Sequence, residues 1–511
     1  MLEQKIERSS EIKLAQMSNR RPGTIWSGGV FNLKFLKKDA TTKDDHLSVG
    51  PVDLESLPIT ETDGECIPDV KISVIIPVYN TMPYLTELLN SLESQSLSSS
   101  QFEVIAIDDG STDFSGEILD VYAKRNPNFR IIHQENSGWP GKPRNVGIDE
   151  ANGEWVFFCD GDDVLGEEAL KKMLSFAQEN DVDILIPKMV GLNGRRIMSS
   201  LYRTTSVDTP LETVLRSLNP IKLMRRSLLV DNKIRFSEER VRLEDGMAVV
   251  QAYMHARRVS ILSDYDYYHA RTRSDGQNIS ISYIEPHGYV ASLTHIAQTI
   301  ESNVRDDKRS RELIAGIFSR KALHFYSGKR FLSYSEIARM EWMDEHSIFL
   351  NRFLAGQTAE LFSGIQAERV AAILSKDYEH LVKLAHIDLR ESRKPELMNL
   401  GTTEDGVQIS IRSFATKLAP ARLIIEDRDE KRAVTVELQA NADGSLLTAE
   451  ISSSKLAADL KRLGNVCVVY GNTDTRRIIM DETIGNVMLK NVRYYRTANG
   501  YFSVDVRKAR I

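Results

Sequence analysis

The sequence has few cysteines, no long apolar run and little net charge, and each of these shortages excludes a class of protein. The three cysteines in its 511 residues, Cys66, Cys159 and Cys467, are far apart, so they fit neither a disulfide framework nor a zinc site. No segment approaches the roughly 20 apolar residues of a membrane-spanning helix, and the charged N-terminus lacks the apolar stretch of a secretion signal. We therefore expect a cytoplasmic protein whose contact with a membrane is peripheral, at its inner face.

The bulk composition is that of a globular protein with more than one domain. Hydrophobic residues make up 41% of the chain and charged residues 27%, which is ordinary for globular proteins. The net charge of −6 gives no reason to expect nucleic acid as a partner. A chain of this length exceeds one hydrophobic core. The hydrophobic pattern divides it into a polar N-terminal extension (1–70), an α/β domain (71–283), a helical connector (284–400) and an all-β sandwich (401–511).

In the α/β domain, short β-branched apolar runs alternate with helical patterns. The predicted strands are Ile72–Val78, Phe102–Ser111, Phe129–Gln134 and Glu154–Asp160, and the predicted helices are Tyr84–Leu92, Ser115–Arg125 and Gly147–Ala151. This alternation predicts a Rossmann-like parallel sheet that is covered on both faces. Ligands of such sheets bind at the carboxyl ends of the strands. Polar residues follow three of the predicted strands there, namely Asn80, Asp108 with Asp109, and Asp160–Asp163.

The segment after Gly401 changes to short alternating strands separated by Gly, Asn and Asp. Several such strands at close spacing predict a β-sandwich. A module of this kind binds carbohydrate, docks on its own chain or mediates oligomerisation, and the sequence does not decide among these.

The acidic cluster Asp160-Gly161-Asp162-Asp163 is a candidate metal site. Mg²⁺ and Mn²⁺ prefer carboxylate oxygens, and on a diphosphate such an ion takes only one or two of them from the protein. The glycine permits a tight turn that brings both flanking carboxylates to one cleft. The alternative is an acidic loop that leads into the next helix. The position after a buried strand favours the metal site.

Two polar segments are candidates for binding a nucleotide. A carboxylate at a strand end, such as Asp109, can accept a bond from a base or a ribose hydroxyl, although Ser111 or Asp113 can instead cap the following helix. The loop from Asn136 to Asn145 contains two glycines and two prolines, which predict a fixed irregular conformation. Within it Lys142 and Arg144 carry positive charge suited to a diphosphate, and arginine offers a forked contact.

A single carboxylate is expected to act as the base. Glu244 and Asp245 precede a helical pattern, where a carboxylate is more often a cap than a catalyst. An enzyme that inverts a sugar's anomeric centre nevertheless needs one base to deprotonate the acceptor hydroxyl. We assign this role to Asp245, with Glu244 orienting the acceptor. His269, Arg271 and Arg273 follow a strand-like run and are candidates for contacting phosphates from a closing loop.

These motifs, in this order, resemble those of family 2 glycosyltransferases with the GT-A fold. The matching segments are ISVIIPVYN, VIAIDDGSTD, the Asn-Ser-Gly…Arg-Asn loop and FFCDGDD, and the resemblance covers residues 71 to 283. The loop NSGWPGKPRNVG and the later LEDG are similar to those of TarS-type wall teichoic acid glycosyltransferases, which place N-acetylglucosamine on poly(ribitol phosphate). Trp139 departs from that pattern, in which a glycine is usual.

The resemblance assigns a role to each matching position. It implies that the nucleoside pocket is lined by Pro77, Val78 and Asn80, that Asp109 contacts the uridine, and that Asn136, Arg144 and Asp160 contact the nucleotide-sugar. It implies a direct metal contact from Asp162, with Mn²⁺ or Mg²⁺ as cofactor. Asp245 would be the base, Arg273 a phosphate contact, and Glu244 and His269 further substrate contacts.

The resemblance implies an inverting transferase that moves N-acetylglucosamine from a UDP-sugar donor to an anionic polyol-phosphate polymer. It also implies a homo-oligomer formed through the C-terminal domain. Two alternatives remain open. One is a family 2 enzyme of capsule or exopolysaccharide synthesis that uses UDP-glucose or UDP-galactose. The other is a non-catalytic carbohydrate-binding scaffold.

Overall fold

The structure is a computed structural model that describes residues 70–276, 284–415, 421–428, 432–471 and 474–507. The predicted N-terminal extension, apart from its last residue, lies outside these ranges, and so does Cys66. Within them, no helix is both long and apolar enough to cross a bilayer.

The α/β domain is built on a seven-stranded sheet with the order β3-β2-β1-β4-β8-β6-β9. A smaller sheet, β5-β10-β7, lies beside it. The strands are β1 (Ile72–Val78), β2 (Phe102–Asp108), β3 (Phe129–His133), β4 (Trp155–Phe158), β5 (Val164–Leu165), β6 (Ile184–Pro187), β7 (Met189–Leu192), β8 (Leu223–Arg225), β9 (Val259–Leu262) and β10 (Tyr268–Arg271).

The predicted parallel sheet is confirmed over its first four strands. β3, β2, β1 and β4 are mutually parallel, and β1 and β2 are almost wholly buried, as their continuous apolar runs predict. The second half of the sheet is mixed, because β8 runs antiparallel to both β4 and β6.

Helices flank this sheet and carry several of the candidate residues. They are α1 (Leu85–Glu93), α2 (Ser115–Arg125), α3 (Gly141–Glu150), α4 (Ala169–Glu179), α5 (Leu211–Val214), α6 (Arg226–Asp231) and α7 (Glu244–His255), with a 3₁₀ turn at Ser199–Tyr202. The helix predicted at Gly147–Ala151 in fact begins at Gly141. Pro143 does not prevent this earlier start, because a helix's first turn has no internal partner for the N–H that proline lacks.

The connector is helical from Pro286 to Glu391, as its sequence pattern predicted. Its helices are α8 (Pro286–Asn303), α9 (Asp307–Lys321), α10 (Gly328–Ser333), α11 (Glu336–Phe353), α12 (Thr358–Leu361), α13 (Gly364–Ser375) and α14 (Tyr378–Glu391), with a 3₁₀ turn at Leu323–Tyr326. Its aromatic residues Phe325, Tyr326, Phe331 and Trp342 are buried in its core. The connector shares one continuous hydrophobic core with the α/β domain.

The C-terminal domain is the predicted β-sandwich, with its own hydrophobic core. Its two sheets have the orders β15-β16-β12-β11-β19 and β14-β13-β17-β22-β21-β20, and β18 pairs with β17. The strands are β11 (Glu396–Thr402), β12 (Gly406–Arg412), β13 (Ala421–Asp427), β14 (Ala433–Glu437), β15 (Gln439–Ala440), β16 (Leu446–Ser452), β17 (Leu463–Tyr470), β18 (Asp474–Arg477), β19 (Ile479–Met480), β20 (Val487–Leu489), β21 (Val492–Arg496) and β22 (Phe502–Asp505). One helix, α15 (Ser453–Asp459), follows β16. β11 straddles the boundary that we predicted between residues 400 and 401.

Candidate active site

The candidate residues meet at the carboxyl edge of the large sheet. β2, β1 and β4 are neighbours, so the segments that follow them leave the sheet side by side. Asn80 follows β1, Asp109 follows β2 and the acidic cluster follows β4. The sequence pattern alone predicted this convergence, and the topology confirms it.

Asn80 joins the end of β1 to the loop after β2. Its backbone has a positive φ of 51°, and its side-chain Oδ1 accepts bonds from the backbone N–H groups of Thr112, at 2.8 Å, and Asp113, at 3.2 Å. Val78 is buried, and its carbonyl oxygen accepts a bond from Asp109 N–H at 2.8 Å. Pro77 lies just before it in β1. Asn80 therefore holds the rim of the predicted nucleoside pocket in shape.

The carboxylate of Asp109 is buried and already has several donors. It accepts bonds from Gln134 Nε2 at 2.5 Å, from Ser137 N–H at 3.0 Å and from Ser137 Oγ at 2.8 Å. These contacts fix the loop that carries the exposed Asn136. Gly110 lies against the same loop, where a Cβ would stand 2.8 Å from Asn136 N. The structure thus gives Asp109 a loop-holding role, and its contact with uridine stays a prediction.

Arg144 lies in helix α3 and bridges two carboxylates from distant parts of the chain. Its Nη1 donates to Asp245 at 2.7 Å and its Nη2 to Asp160 at 3.1 Å. The side chain is only 4% exposed and lies over the ring of Phe236. We expected Arg144 on an irregular loop, with its guanidinium directed at a phosphate, and the structure instead places it on a helix between the predicted base and the acidic cluster. Its contact with the nucleotide-sugar stays a prediction.

The acidic cluster is held by backbone contacts from strand β10. Arg271 donates its backbone N–H to Asp163 Oδ1 at 2.6 Å and its Nε to the Asp162 carbonyl oxygen at 2.9 Å. Burial and the neighbouring Asp160 raise the pKa of Asp162 to about 6. Burial also raises the pKa of Asp163, together with the neighbouring Asp160 and Asp162. Burial and mutual repulsion therefore disfavour the charged forms of Asp162 and Asp163, while Asp160 is paired with Arg144.

The donor set of this cluster fits a divalent cation that shares its coordination with a substrate. Among the described residues, no group of three or more His, Cys, Asp or Glu side chains is arranged to hold a metal by itself. A cation that takes one or two carboxylates and completes its shell with diphosphate oxygens and water needs no such group. It would also relieve the repulsion between Asp160 and Asp162.

Two further candidates, Arg273 and His269, belong to the segment that we expected to close over the site. Arg273 donates to the carbonyl oxygen of Asn80 at 3.0 Å and pairs with Asp275 at 2.7 Å, and its charge acts on Asp162. It therefore lies at the site. His269 lies beside Tyr268, whose Oη accepts a bond from the backbone N–H of Asp160 at 3.0 Å. Burial lowers the pKa of His269, and its contact with substrate stays a prediction.

Asp245 and Glu244 open helix α7. Leu243, just before them, has a left-handed backbone with a φ of 63°, a strained conformation that directs the start of the helix toward Arg144. Burial raises the pKa of Asp245, against the opposing effect of Arg144, but its side chain is still 28% exposed and open to a substrate. Glu244 is buried, and burial together with Asp245 raises its pKa. The side chain of Trp139 lies near Glu244 and acts to lower its pKa.

The connector contributes directly to this environment. Gly246, in the first turn of α7, faces Ile296 of helix α8, where a Cβ would lie 3.2 Å from the isoleucine Cδ1. Lys321, at the end of helix α9, lies within electrostatic reach of Asp245. The start of α7 is thus packed between the α/β domain and the connector.

A cavity of about 550 Å³ adjoins the acidic cluster. Its lining includes the acidic cluster and a cationic wall of five side chains, which are Arg195, Arg196, Arg216, Arg271 and Lys321. Apolar residues also line it, among them Leu201 and Tyr202. A carboxylate cluster and a set of cations around one space suit a substrate that carries both a metal-bound diphosphate and a further anion.

Sequence reasoning missed Lys222 and, apart from Arg271, the cationic wall of this cavity. Lys222 is fully buried between Ile221 and Leu223 and donates to Ser217 Oγ at 3.1 Å, and burial lowers its pKa to about 7. Its charge acts on Asp245. A lone lysine in an apolar run was the available signal. The other members of the wall offered no local signal, because they come from separate segments between Arg195 and Lys321.

Fold and site define a nucleotide-sugar transferase of the GT-A type, and comparison with known proteins agrees. A family model described as glycosyl transferase family 2 matches residues 73–265, and one described as the glycosyl transferase TarS linker domain matches residues 286–385. The chain belongs to glycosyltransferase family 2. Enzymes of this family generally use a divalent metal.

Within the family the chain is similar to poly(ribitol-phosphate) glycosyltransferases. It is 38% identical over 254 residues to the β-N-acetylglucosaminyltransferase TarS of Staphylococcus aureus, covering 49% of this chain and 44% of that protein. It is 37% identical over 254 residues to a poly(ribitol-phosphate) β-glucosyltransferase of Bacillus spizizenii, covering 49% and 40% respectively. The chain thus spans less than half the length of these curated relatives.

A solved structure extends the similarity to the fold. The crystal structure of residues 1–349 of S. aureus TarS with UDP-GlcNAc has 30% sequence identity and a TM-score of 0.57, covering 66% of this chain and 96% of that one. The similarity therefore includes the α/β domain and reaches into the connector.

Proposed function

We propose that the protein transfers a sugar, with inversion, from a UDP-sugar to a hydroxyl group of a polyol-phosphate cell-wall polymer such as poly(ribitol phosphate). The observation that carries this proposal is the bridge of Asp160, Arg144 and Asp245, which lies beside a cavity lined by both carboxylates and cationic side chains. The printed names of the relatives supply the acceptor and the β-linked product.

In the proposed reaction the carboxylate of Asp245 accepts the proton of the acceptor hydroxyl. That oxygen then forms a bond to the anomeric carbon of the donor, while the bond from this carbon to the diphosphate oxygen breaks and its electron pair leaves with UDP. The raised pKa of Asp245 suits it to this task, because a base works best when its pKa is near the working pH. Arg144 fixes the orientation of the carboxylate through its 2.7 Å contact.

The diphosphate end of the donor is assigned to the acidic cluster. A divalent cation, Mn²⁺ or Mg²⁺, held by Asp162 would supply Lewis-acid stabilisation of the leaving diphosphate. Asp160 would orient the nucleotide-sugar, since Arg144 already holds one of its oxygens at 3.1 Å. Arg273 would contact a phosphate from its place above Asn80.

The cationic wall of the cavity is assigned to the acceptor. A polyol-phosphate polymer carries one negative charge per repeat, and guanidinium groups bind phosphates through paired, charge-assisted bonds. Arg195, Arg196 and Arg216 line the same cavity as the acidic cluster, and there they would bind a phosphate of the acceptor.

The sugar is the least constrained part of the proposal. We propose N-acetylglucosamine, but the two relatives have almost the same identity and their printed names carry different sugars. Trp139, buried beside Glu244, is the residue through which this chain would differ in sugar preference. Oligomerisation through the β-sandwich, peripheral membrane contact and a location at the inner membrane face stay predictions.

The test is a transfer assay with UDP-GlcNAc, UDP-glucose and UDP-galactose, with Mn²⁺, Mg²⁺ or EDTA, and with poly(ribitol phosphate) or a neutral polysaccharide as acceptor. We expect UDP release that requires both a metal and the phosphate polymer, fastest with UDP-GlcNAc. Transfer to the neutral polysaccharide alone would favour an enzyme of capsule or exopolysaccharide synthesis. Absence of turnover with every donor would favour the non-catalytic scaffold.

The acceptor wall has its own test within the same assay. Arg196→Ser should raise the KM for the phosphate polymer about tenfold without changing the KM for the donor, because one charge-assisted contact is lost. Arg203→Ser is the matched control, since Arg203 is an exposed arginine of a neighbouring segment outside the cavity lining. Equal effects of the two substitutions would contradict the assignment.

A further inference from the structure

A second groove, of about 470 Å³, lies where the connector meets the β-sandwich. Three arginines line it: Arg390 at the end of helix α14, Arg393 just after that helix, and Arg412 at the end of β12. The other lining residues are Met398, Ser413, Phe414, Ser445 and Leu446. This groove shares no lining residue with the cavity beside the acidic cluster.

Two of the three guanidinium groups are held in fixed positions. Arg393 lies over the ring of Phe414, 3.8 Å from its centroid. Arg393 Nη2 and Arg412 Nη1 each donate to one oxygen of Glu396, at 3.1 and 3.2 Å. One carboxylate therefore orients two cations but can balance the charge of only one.

The third guanidinium adds to this excess of positive charge. Among the described residues Arg390 has no carboxylate partner, and it is exposed. Its place in the last turn of α14 is favourable for a cation, which gives it a structural explanation as well. That explanation does not extend to Arg412, which lies on a strand. Beside these cations, Met398 is 42% exposed and Leu446 is 38% exposed, so the groove also offers apolar surface.

We propose that this groove binds a phosphodiester unit of the same polymer that serves as acceptor, at a repeat distant from the one being modified. The inference rests on the proposed function. Two oriented guanidiniums and a third nearby suit a phosphodiester, whose two free oxygens accept forked bonds. The exposed apolar side chains suit the carbon chain of a polyol. The volume lies within the range of specific small-ligand sites.

A second contact of this kind changes how acceptor length affects binding. A polymer that is long enough to occupy both sites binds the second one within the same molecule, at a high effective concentration. A single repeat reaches only the active site. The groove therefore acts on the KM for long acceptors and leaves the chemical step unchanged.

The test uses the full chain with Arg390→Ser and Arg412→Ser combined, and Arg393 is left in place because it packs on Phe414. Kinetics are measured with long poly(ribitol phosphate) and with a single-repeat acceptor. We expect the KM for the long polymer to rise about tenfold, with kcat and the KM for the single repeat unchanged. Arg422→Ser, an exposed arginine of β13, is the matched control and should behave as wild type.

An unchanged KM for the long polymer in the double variant would overturn the inference, and so would an equal rise for both acceptors. If the wild-type protein transfers no sugar to either acceptor, the proposed function fails, and the two failures are thereby distinguished. Vesicles containing phosphatidylglycerol and a single-stranded RNA serve as probes for other phosphodiesters. Loss of binding to either probe, without a change in polymer KM, would assign the groove to that ligand and overturn the inference.

Discussion

Arg144 is a buried cation that joins two carboxylates from opposite parts of the α/β domain. Asp160 follows β4 and Asp245 begins α7, and the bidentate geometry of a guanidinium permits one side chain to hold both. Truncating such a residue would leave two uncompensated acidic groups, and a buried charge without a partner is costly. At the scale of single residues, the site is therefore organised by a charge that itself does no proton transfer.

Replacing Arg144 by lysine tests this role. A lysine keeps the charge but cannot fork, so it would hold only one of the two carboxylates. We expect Arg144→Lys to lower kcat by about ten- to a hundredfold, with a smaller change in the KM for the donor, because the base loses its orientation. Steady-state kinetics provide the measurement.

Arg235→Lys is the control for that experiment. Arg235 pairs with the exposed Asp149 on the outer end of helix α3, at 2.6 Å, and surface pairs of this kind contribute little. A kcat for Arg144→Lys equal to that of the control would show that the bridge has no catalytic consequence.

Helix α3 shows at the scale of elements how a motif glycine positions the site. The helix begins at Gly141, where a Cβ would lie 1.8 Å from the carbonyl oxygen of Ser237. The backbone of α3 therefore touches the segment that precedes α7. Because Arg144 is one turn further along, this close approach sets the distance between Arg144 and Asp245.

Gly141→Ala should push these two segments apart. We expect a loss of about 2 kcal/mol in the free energy of unfolding, typical of overpacking against backbone, together with a reduced kcat. Gly316→Ala, in helix α9, is the opposite case, because no atom lies within 4 Å of its Cβ position and alanine favours a helix. Thermal unfolding of both variants measures the change in stability that each substitution causes. A Gly141→Ala variant as stable as Gly316→Ala would contradict the prediction.

The elements differ in how well the sequence predicts them. β1 and α2 were predicted with their exact ends because their apolar patterns are continuous and local. The early start of α3 was missed, since two prolines and two glycines are also typical of a loop, and only the contact with Ser237 shows why the helix begins there. β8 was missed because a three-residue strand has too few residues for a recognisable period.

The residues of the candidate site also differ in how well the sequence predicts their positions and contacts. Positions at strand ends, such as Asp109 and Asp162, follow from the parallel sheet and were predicted. The partner of Arg144 was not, because Asp245 is 101 residues away and no local pattern records that contact.

The connector helices enclose two neutral histidines, which makes their stability dependent on pH. His346 is fully buried, with Nδ1 bonded to Tyr326 Oη at 2.9 Å and Nε2 without a partner, and burial lowers its pKa to about 3. Burial likewise lowers the pKa of His324 to about 4. In the unfolded chain both have a pKa near 6.5. Their neutral forms therefore stabilise the fold above that pH.

Stability should fall as pH drops below about 6.5, since the unfolded chain then binds protons that the folded chain does not. For each histidine, the free energy of unfolding falls by up to about 1.4 kcal/mol per pH unit until the pKa of the folded state is reached. Denaturant unfolding at pH 7, 6 and 5 measures this free energy, and His346→Gln should make its decrease with falling pH smaller. His287→Gln is the control, because His287 is exposed and pairs with Glu345. Equal pH dependence of the free energy of unfolding in wild type and His346→Gln would contradict the prediction.

At the scale of the whole molecule, the described residues form two hydrophobic cores. One runs without interruption from the α/β domain into the connector, and the other belongs to the β-sandwich. The active site lies on the first core, clamped on one side by the connector. The connector is thus part of the catalytic unit, while the β-sandwich is a separate folding unit.

This division predicts two calorimetric transitions. Leu293→Ala in the connector and Ile105→Ala in the α/β domain should destabilise the same transition, because both side chains are fully buried in the shared core. Each should lower the free energy of unfolding of that transition by about 2–5 kcal/mol. Ile409→Ala in the β-sandwich should lower only the other. A separate shift of a third transition by Leu293→Ala would show that the connector unfolds alone.

The most direct measurement compares wild type with Asp245→Asn in single-turnover sugar transfer to poly(ribitol phosphate). Asparagine keeps the shape of the side chain but cannot accept the hydroxyl proton. We predict a rate about 10²- to 10⁴-fold lower, with the affinity for the UDP-sugar unchanged. An undiminished rate in Asp245→Asn would contradict the assignment of Asp245 as the base.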